Sequence, residues 1–159
     1  MPQSKTPTKM GSEGAPPDVL ALLKADHDLV QGLFDKFDKA QTDKQKAALA
    51  EQICTELTIH AQIEEEIFYP AVRDAIDEDD LMDEANVEHA SVKDLIAQIM
   101  ESKPGEDQFD AKVTVLGEYV KHHVEEEQSE MFPKVRKADL DLKELGSALS
   151  ARKAELQRQ

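Results

Sequence analysis

The sequence predicts an all-α fold: an up-down-up-down antiparallel four-helix bundle with a short extra C-terminal helix. Three observations carry that prediction. Apolar residues recur at spacings of three and four over four segments of roughly 20–30 residues, the period of a helix with one face turned to a core. The links between those segments are short, so neighbouring helices run antiparallel. No alternating run of β-branched residues bounded by turns appears, so strand signals are absent.

The elements follow in chain order. Residues 1–17, MPQSKTPTKMGSEGAPP, are polar and rich in Pro, Ser, Thr and Gly, which predicts a disordered tail. The bundle is expected over residues 18–138 and the extra helix over 139–159. Asp18 follows two prolines and is a candidate N-cap. The first seam is Val19, Leu22, Leu23, Val30, Leu33, Phe34 and Phe37, with Asp26 and His27 in its gap. Gln41-Thr42-Asp43 ends that helix and caps the next. The second seam is Leu49, Ile53, Leu57, Ile67 and Phe68, interrupted by His60 and Glu64. After the acidic loop Asp77–Asp80, a third seam of Met82, Ala85, Val92, Ile96 and Ile99 surrounds His89. Lys103-Pro104-Gly105 breaks the pattern. The fourth seam, Phe109, Val113, Leu116 and Val120, runs into His123 and Glu127. Leu142, Leu145 and Leu149 place the fifth helix. Pro70 and Pro133 each remove a backbone donor and are expected to kink or end their helices.

A chain of 159 residues, 40% hydrophobic and 33% charged, suits one domain with one core. Its formal charge of −15 argues against nucleic acid or an anionic membrane as partner, since both want a basic face. The single cysteine, Cys54, excludes an internal disulfide and a cysteine-rich zinc site, and reads as a small core residue. No apolar run approaches the roughly 20 residues of a membrane span. The first residues hold no apolar signal stretch. The expectation is a soluble protein of a reducing compartment, the cytoplasm.

The two halves repeat. His60-Ala-Gln-Ile-Glu64-Glu-Glu-Ile-Phe-Tyr-Pro70 matches His123-Val-Glu-Glu-Glu127-Gln-Ser-Glu-Met-Phe-Pro133 at a shift of 63 residues. Asp26-His27 matches Glu88-His89 at a shift of 62. Each half is therefore a helix pair carrying one lone His and one His-x-x-x-Glu.

A helix turns about 100° per residue, so residues four apart lie about 40° apart on one face. The seams turn those faces inward, and four imidazoles and two carboxylates converge at one level of the core. Burying unpaired carboxylates costs several kcal/mol. A metal pair removes that cost, because two divalent ions offset two carboxylates and neutral imidazole suits borderline metals. The reading is His27 with His60 on one ion, His89 with His123 on the other, and Glu64 and Glu127 bridging. Four protein ligands per ion leave an octahedral ion one or two positions for water or substrate. A single His-x-x-x-Glu is ordinarily a solvated ion pair; two at matched spacing on two inward seams are not. His122 falls off the seam and is read as exposed. Glu65, Glu66, Glu125 and Glu126 read as a solvated acidic rim. Glu130, one turn from Glu127, is ambiguous.

These residues resemble the hemerythrin-like family, or HHE cation-binding domain, over about residues 18–137. The matching elements are His27, His60-x-x-x-Glu64, His89 and His123-x-x-x-Glu127, with the Phe-Tyr-Pro and Met-Phe-Pro tails. The resemblance implies a non-heme centre of two iron ions that meets O2, and sometimes peroxide or nitric oxide. It makes the four histidines terminal ligands and Glu64 and Glu127 bridges. One position departs. Oxygen-carrying members hold a further ligand His on the third helix, one turn after the first; here that residue is Lys93. This points away from reversible transport and toward oxygen, redox or iron sensing, storage, or an enzyme that consumes peroxide or nitric oxide, with a water or nearby carboxylate as the alternative filler. The family's iron–sulfur repair members carry a cysteine-bearing N-terminal segment, and the tail here has no cysteine. Ferritin-like bundles use Glu-x-x-His, and no histidine here has Glu three residues before it. No His-Glu-x-x-His supports a zinc protease. The donor set also suits manganese, zinc and cobalt.

Overall fold

The computed structural model describes residues 17–159. The tail expected over 1–17 therefore lies outside the described residues, Pro17 excepted. Among those residues the fold is helical throughout. The arms are α1 (Val19–Lys39), α2 (Asp43–Ile63) with its continuation α3 (Tyr69–Ala75), α4 (Asp79–Met100), and α5 (Phe109–Glu126) with its continuation α6 (Phe132–Lys137). A further helix, α7 (Leu142–Gln157), follows. α1 packs on α2 and α4 on α5; α2 against α4 and α1 against α5 close the four-helix ring.

Local chemistry sets the helix starts. The Asp18 carboxylate accepts the Ala21 N–H at 2.8 Å, satisfying an orphan donor of α1. Thr42 and Gln45 form a reciprocal capping box at the start of α2, with the Thr42 hydroxyl accepting the Gln45 N–H at 3.1 Å. Between α4 and α5 the backbone turns left-handed at Gly105, with φ of 90°. Glycine takes that conformation without a Cβ clash.

The core divides into two apolar clusters with a polar layer between. One gathers Leu20, Leu23, Ile63, Phe68, Val72, Met82, Met131 and Leu149. The other gathers Val30, Leu33, Phe34, Ile53, Leu57, Ile96, Val113 and Leu116. The buried polar side chains are Asp26, His27, His60, Glu64, His89, His123 and Glu127. No helix among the described residues is long and apolar enough to cross a membrane.

Neither proline ends its helix. Each follows a single π-helical turn, Glu64–Phe68 before Pro70 and Glu127–Met131 before Pro133. In a regular α-helix a proline ring collides with the carbonyl four residues back. The widened turn moves that carbonyl away, so the chain continues as α3 and α6.

α7 is more than an appendage. Leu149 and Leu156 are buried, while Leu142 and Leu145 pack only partly against the same cluster. Gly146 brings α7 onto the start of α1: a Cβ there would meet the Pro17 carbonyl oxygen at 2.4 Å. Gly32, on α1, has nothing within 4 Å of a built Cβ. Gly146→Ala is therefore expected to destabilise by about 1–3 kcal/mol through overpacking against backbone. Gly32→Ala should stabilise by about 0.5–1 kcal/mol, the gain of removing helical glycine. Denaturant midpoints of the two variants check the opposite signs.

Candidate metal centre

The six residues singled out by the repeat meet at one level. His27 and Asp26 come from α1, His60 from the last turn of α2, His89 and Glu88 from α4, and His123 from the last turn of α5. Glu64 and Glu127 open the two π turns. The His27 and His60 Nε2 atoms lie 3.2 Å apart, and so do those of His89 and His123. Glu64 Oε1 stands between the pairs, 3.1 Å from His60 Nε2 and 3.2 Å from His89 Nε2. Glu127 does likewise with two oxygens: Oε1 is 3.3 Å from His27 Nε2 and Oε2 is 3.1 Å from His123 Nε2. The structure thus pairs the histidines within each half and sets each glutamate across both pairs.

The donor set fits a pair of cations. Donor atoms each about 2.1 Å from one ion and at right angles to one another lie about 3 Å apart. The nitrogen and oxygen separations here fall at that spacing. Glu64 Oε2 is buried and lacks a hydrogen-bond partner, and Glu127 Oε1 has only the long approach of His27 Nε2. An orphaned carboxylate oxygen in a bundle core is costly without a cation or a donor beside it.

Each imidazole is held from behind through Nδ1. Asp26 Oδ2 lies 3.0 Å from His60 Nδ1, Glu88 Oε1 3.1 Å from His123 Nδ1, and Glu65 Oε2 3.0 Å from His89 Nδ1. The Gln128 amide lies 2.8 Å from His27 Nδ1. Such partners fix the ring and turn Nε2 toward a metal. Glu65 was read as part of a solvated rim; the structure corrects this, because the π turn swings it against His89. Lys93, in the position of the missing histidine, bonds Glu65 at 2.5 Å instead of facing the centre. Glu130 is exposed, and His122 pairs with Glu126 at the surface.

The sequence reading missed Tyr69. Its hydroxyl donates to Glu127 Oε2 at 2.7 Å and lies 3.1 Å from both His89 Nε2 and His123 Nε2. Five residues after Glu64, it sits about 140° away on an α-helical wheel. The π turn bonds the Tyr69 N–H to the Glu64 carbonyl and brings both side chains to one face. The signal was Pro70, which demands a widened turn. In the second half Phe132 takes the equivalent place and stacks over His27 with ring centroids 6.2 Å apart.

Charge balance without metal falls on protons. Burial opposes a charged His60, but the Glu64 and Asp26 carboxylates outweigh it and raise the imidazole to about 10. Burial likewise opposes charge on His123, and Glu127 raises it to about 9. Glu127 itself is held well below its ordinary value: burial pushes it up, and His123 and His27 pull it down further. Burial and the two glutamates push the Tyr69 phenol well above its usual value. Burial raises the Cys54 thiol to about 11, which leaves it inert.

Those directions fix opposite pH trends. In the metal-free chain His60 and His123 bind protons more tightly folded than unfolded, where histidine titrates near about 6.5. Their contribution is complete below that pH and disappears as pH rises through about 9 to about 10. Ligation needs neutral imidazole, so metal affinity rises over the same window. The melting temperature of the metal-free chain should fall between pH 6.5 and 10 while that of the loaded chain holds. Metal uptake at pH 7 should release at least the two protons held by His60 and His123, measurable by calorimetry in two buffers.

The comparisons agree with this geometry. The hemerythrin HHE cation binding domain matches residues 18–135, ending before α7. A DNA nickase of Nostoc sp. is 31% identical over 126 residues, 79% of this chain and 36% of its own length. The chain thus spans well under half of that relative. An uncharacterized protein of Mycobacterium tuberculosis is 27% identical over 135 residues, 82% of each chain. The crystal structure of a hemerythrin HHE cation binding domain-containing protein from Mycobacterium kansasii aligns with a TM-score of 0.77 at 26% identity, over 89% of this chain and 88% of that one. Bundle, duplicated His-x-x-x-Glu and matched domain together place the chain in the hemerythrin HHE cation-binding domain family.

Proposed function

We propose that this is a non-heme two-iron protein that binds O2 or a related small oxidant, in oxygen, redox or iron sensing or storage. In this reading His27 and His60 would hold one ion and His89 and His123 the other, with Glu64 and Glu127 as carboxylate donors shared between them. Tyr69 would offer a further oxygen donor on the His89 and His123 side. Bound iron would supply a redox-active Lewis acid; the chain supplies its orientation and a dry approach.

The observation that carries the small-ligand reading is a cavity of about 30 Å³ against the four imidazoles. Its remaining wall includes Val30, Leu57, Val92, Val120 and Val124. A water needs about 10–15 Å³ on that measure, so beside ions held by the imidazoles this space suits a ligand of at most one or two heavy atoms. The apolar wall favours O2 and nitric oxide over ions. Hydrogen peroxide has the same heavy-atom count, which supports a second reading: an enzyme that consumes peroxide or nitric oxide at this centre. The Nostoc nickase activity belongs to a much longer chain, and a formal charge of −15 argues against a phosphate backbone as partner here.

Aerobically purified or iron-reconstituted protein should carry two irons per chain, with ferric near-ultraviolet absorption and a visible band that Tyr69→Phe removes. Chelation should lower the melting temperature on the order of 10 °C, the effect of losing ligands present at about 1,000 times their dissociation constant. A colourless chain that takes up no transition metal and melts unchanged with chelator overturns the proposal. Sustained peroxide turnover, abolished in Glu127→Ala and kept in His122→Ala, would decide for the enzyme.

A further inference from the structure

The centre is built from two duplicated hairpins, yet one contact to it comes from outside the duplication. Lys153, on α7, donates to Asp26 Oδ1. Asp26 Oδ2 in turn lies 3.0 Å from His60 Nδ1. Asp26 is buried at 8% exposure and the Lys153 side chain is 24% exposed, so the pair is largely withdrawn from water. Among the described residues, the equivalent carboxylate in the other half, Glu88, has no lysine or arginine beside it; the exposed His122 stands 3.7 Å away. α7 also lies beyond the matched domain, which ends at residue 135.

We propose that Lys153 is a positioning residue of the metal centre, through which the docked C-terminal helix fixes Asp26 and thereby the ring of His60. The proposal rests on the two-metal reading above. A buried carboxylate that accepts from an imidazole has two rotamer-dependent oxygens to satisfy. With Lys153 on Oδ1, the other oxygen is left to the His60 Nδ1–H, and the ring turns Nε2 inward. Without it, Asp26 is free to rotate toward water, and His60 loses its orienting partner. Hydrophobic anchoring at Leu149 and Leu156 and the close approach at Gly146 give Lys153 a rigid base. Coupling of this kind is reciprocal: if docking of α7 favours metal at His60, metal at His60 favours docking of α7.

The test uses the full iron-loaded chain and five variants. Asp26→Asn should speed iron loss to a chelating dye by about tenfold to hundredfold, the range for removing an outer partner of a ligand histidine. Lys153→Met should act in the same direction, Lys153→Arg should restore retention, and the double variant Asp26→Asn/Lys153→Met should match Asp26→Asn alone. Arg152→Met is the control: Arg152 ties α7 to exposed Glu66 at 2.8 Å without touching Asp26. Losing this surface ion pair should leave α7 anchored through Leu149 and Leu156, and iron loss unchanged. In Lys153→Met the hyperfine-shifted Nδ1–H signal of His60 should exchange faster with solvent, and iron should no longer slow hydrogen exchange in α7. Iron release and exchange in Lys153→Met equal to wild type, or equal effects in Arg152→Met, overturn the proposal. A chain that binds no iron in any form overturns the two-metal reading and this inference with it.

Discussion

Two carboxylates placed where water does not reach organise this molecule. Glu64 is fully buried and Glu127 is 2% exposed. A buried anion without a partner costs several kcal/mol, a large share of what holds a single domain together. The chain resolves this in layers. Imidazoles face the carboxylates, carboxylates and one amide back the imidazoles, and lysines at the edge neutralise two of the outer carboxylates. Charge therefore alternates outward from the bundle axis, and the apolar clusters on either side seal the layer. The same alternation is what a cation site needs, because the innermost groups are then oriented donors with lone pairs to spare.

The π turns deliver the two carboxylates. In a regular helix, His-x-x-x-Glu places two side chains on one face and rotates the following turn away. Widening that turn keeps three residues in play: the glutamate, the residue after it, and the residue five further on. In the first half these are Glu64, Glu65 and Tyr69, and all three meet the centre. In the second half they are Glu127, Gln128 and Phe132. A local backbone irregularity, located by the proline that follows it, thus enlarges the number of groups one strand of helix brings to the site.

The bundle and the six inward donors were legible because each depends on a short-range period. The seams locate α1, α2, α4 and α5, Asp18 and Thr42 mark helix starts, and the repeat singles out the histidines. What the period cannot carry was missed. Tyr69 needed the π turn, which breaks the 3.6-residue rule on which the wheel rests. Glu65 looked solvated for the same reason. Lys153 lies 127 residues from Asp26, and no local pattern connects them. Asp26 and Glu88 were visible as neighbours of histidines in sequence, but each backs the histidine of the adjacent helix, a pairing that only packing decides.

Duplication imposes a near twofold relation on the centre, and divergence then breaks it at a few positions. Glu65 against Gln128 places a charged acceptor behind His89 and a neutral amide behind His27. Tyr69 against Phe132 places an oxygen donor on one side and a hydrocarbon ring on the other. Lys153 tightens His60 from a helix that has no counterpart in the first half. The first two changes enrich the His89 and His123 side in anionic or oxygen donors and leave the His27 and His60 side poorer in both. Electron-rich ligation stabilises the more oxidised ion, so two redox-active ions bound here would differ in potential even though the histidine pairs share the same 3.2 Å separation. Lys153 then supports the side with fewer donors, where ring orientation would matter most to a bound ion. Two similar hairpins thus make a centre with two unequal halves, the differences lying in single residues around a matched set of six.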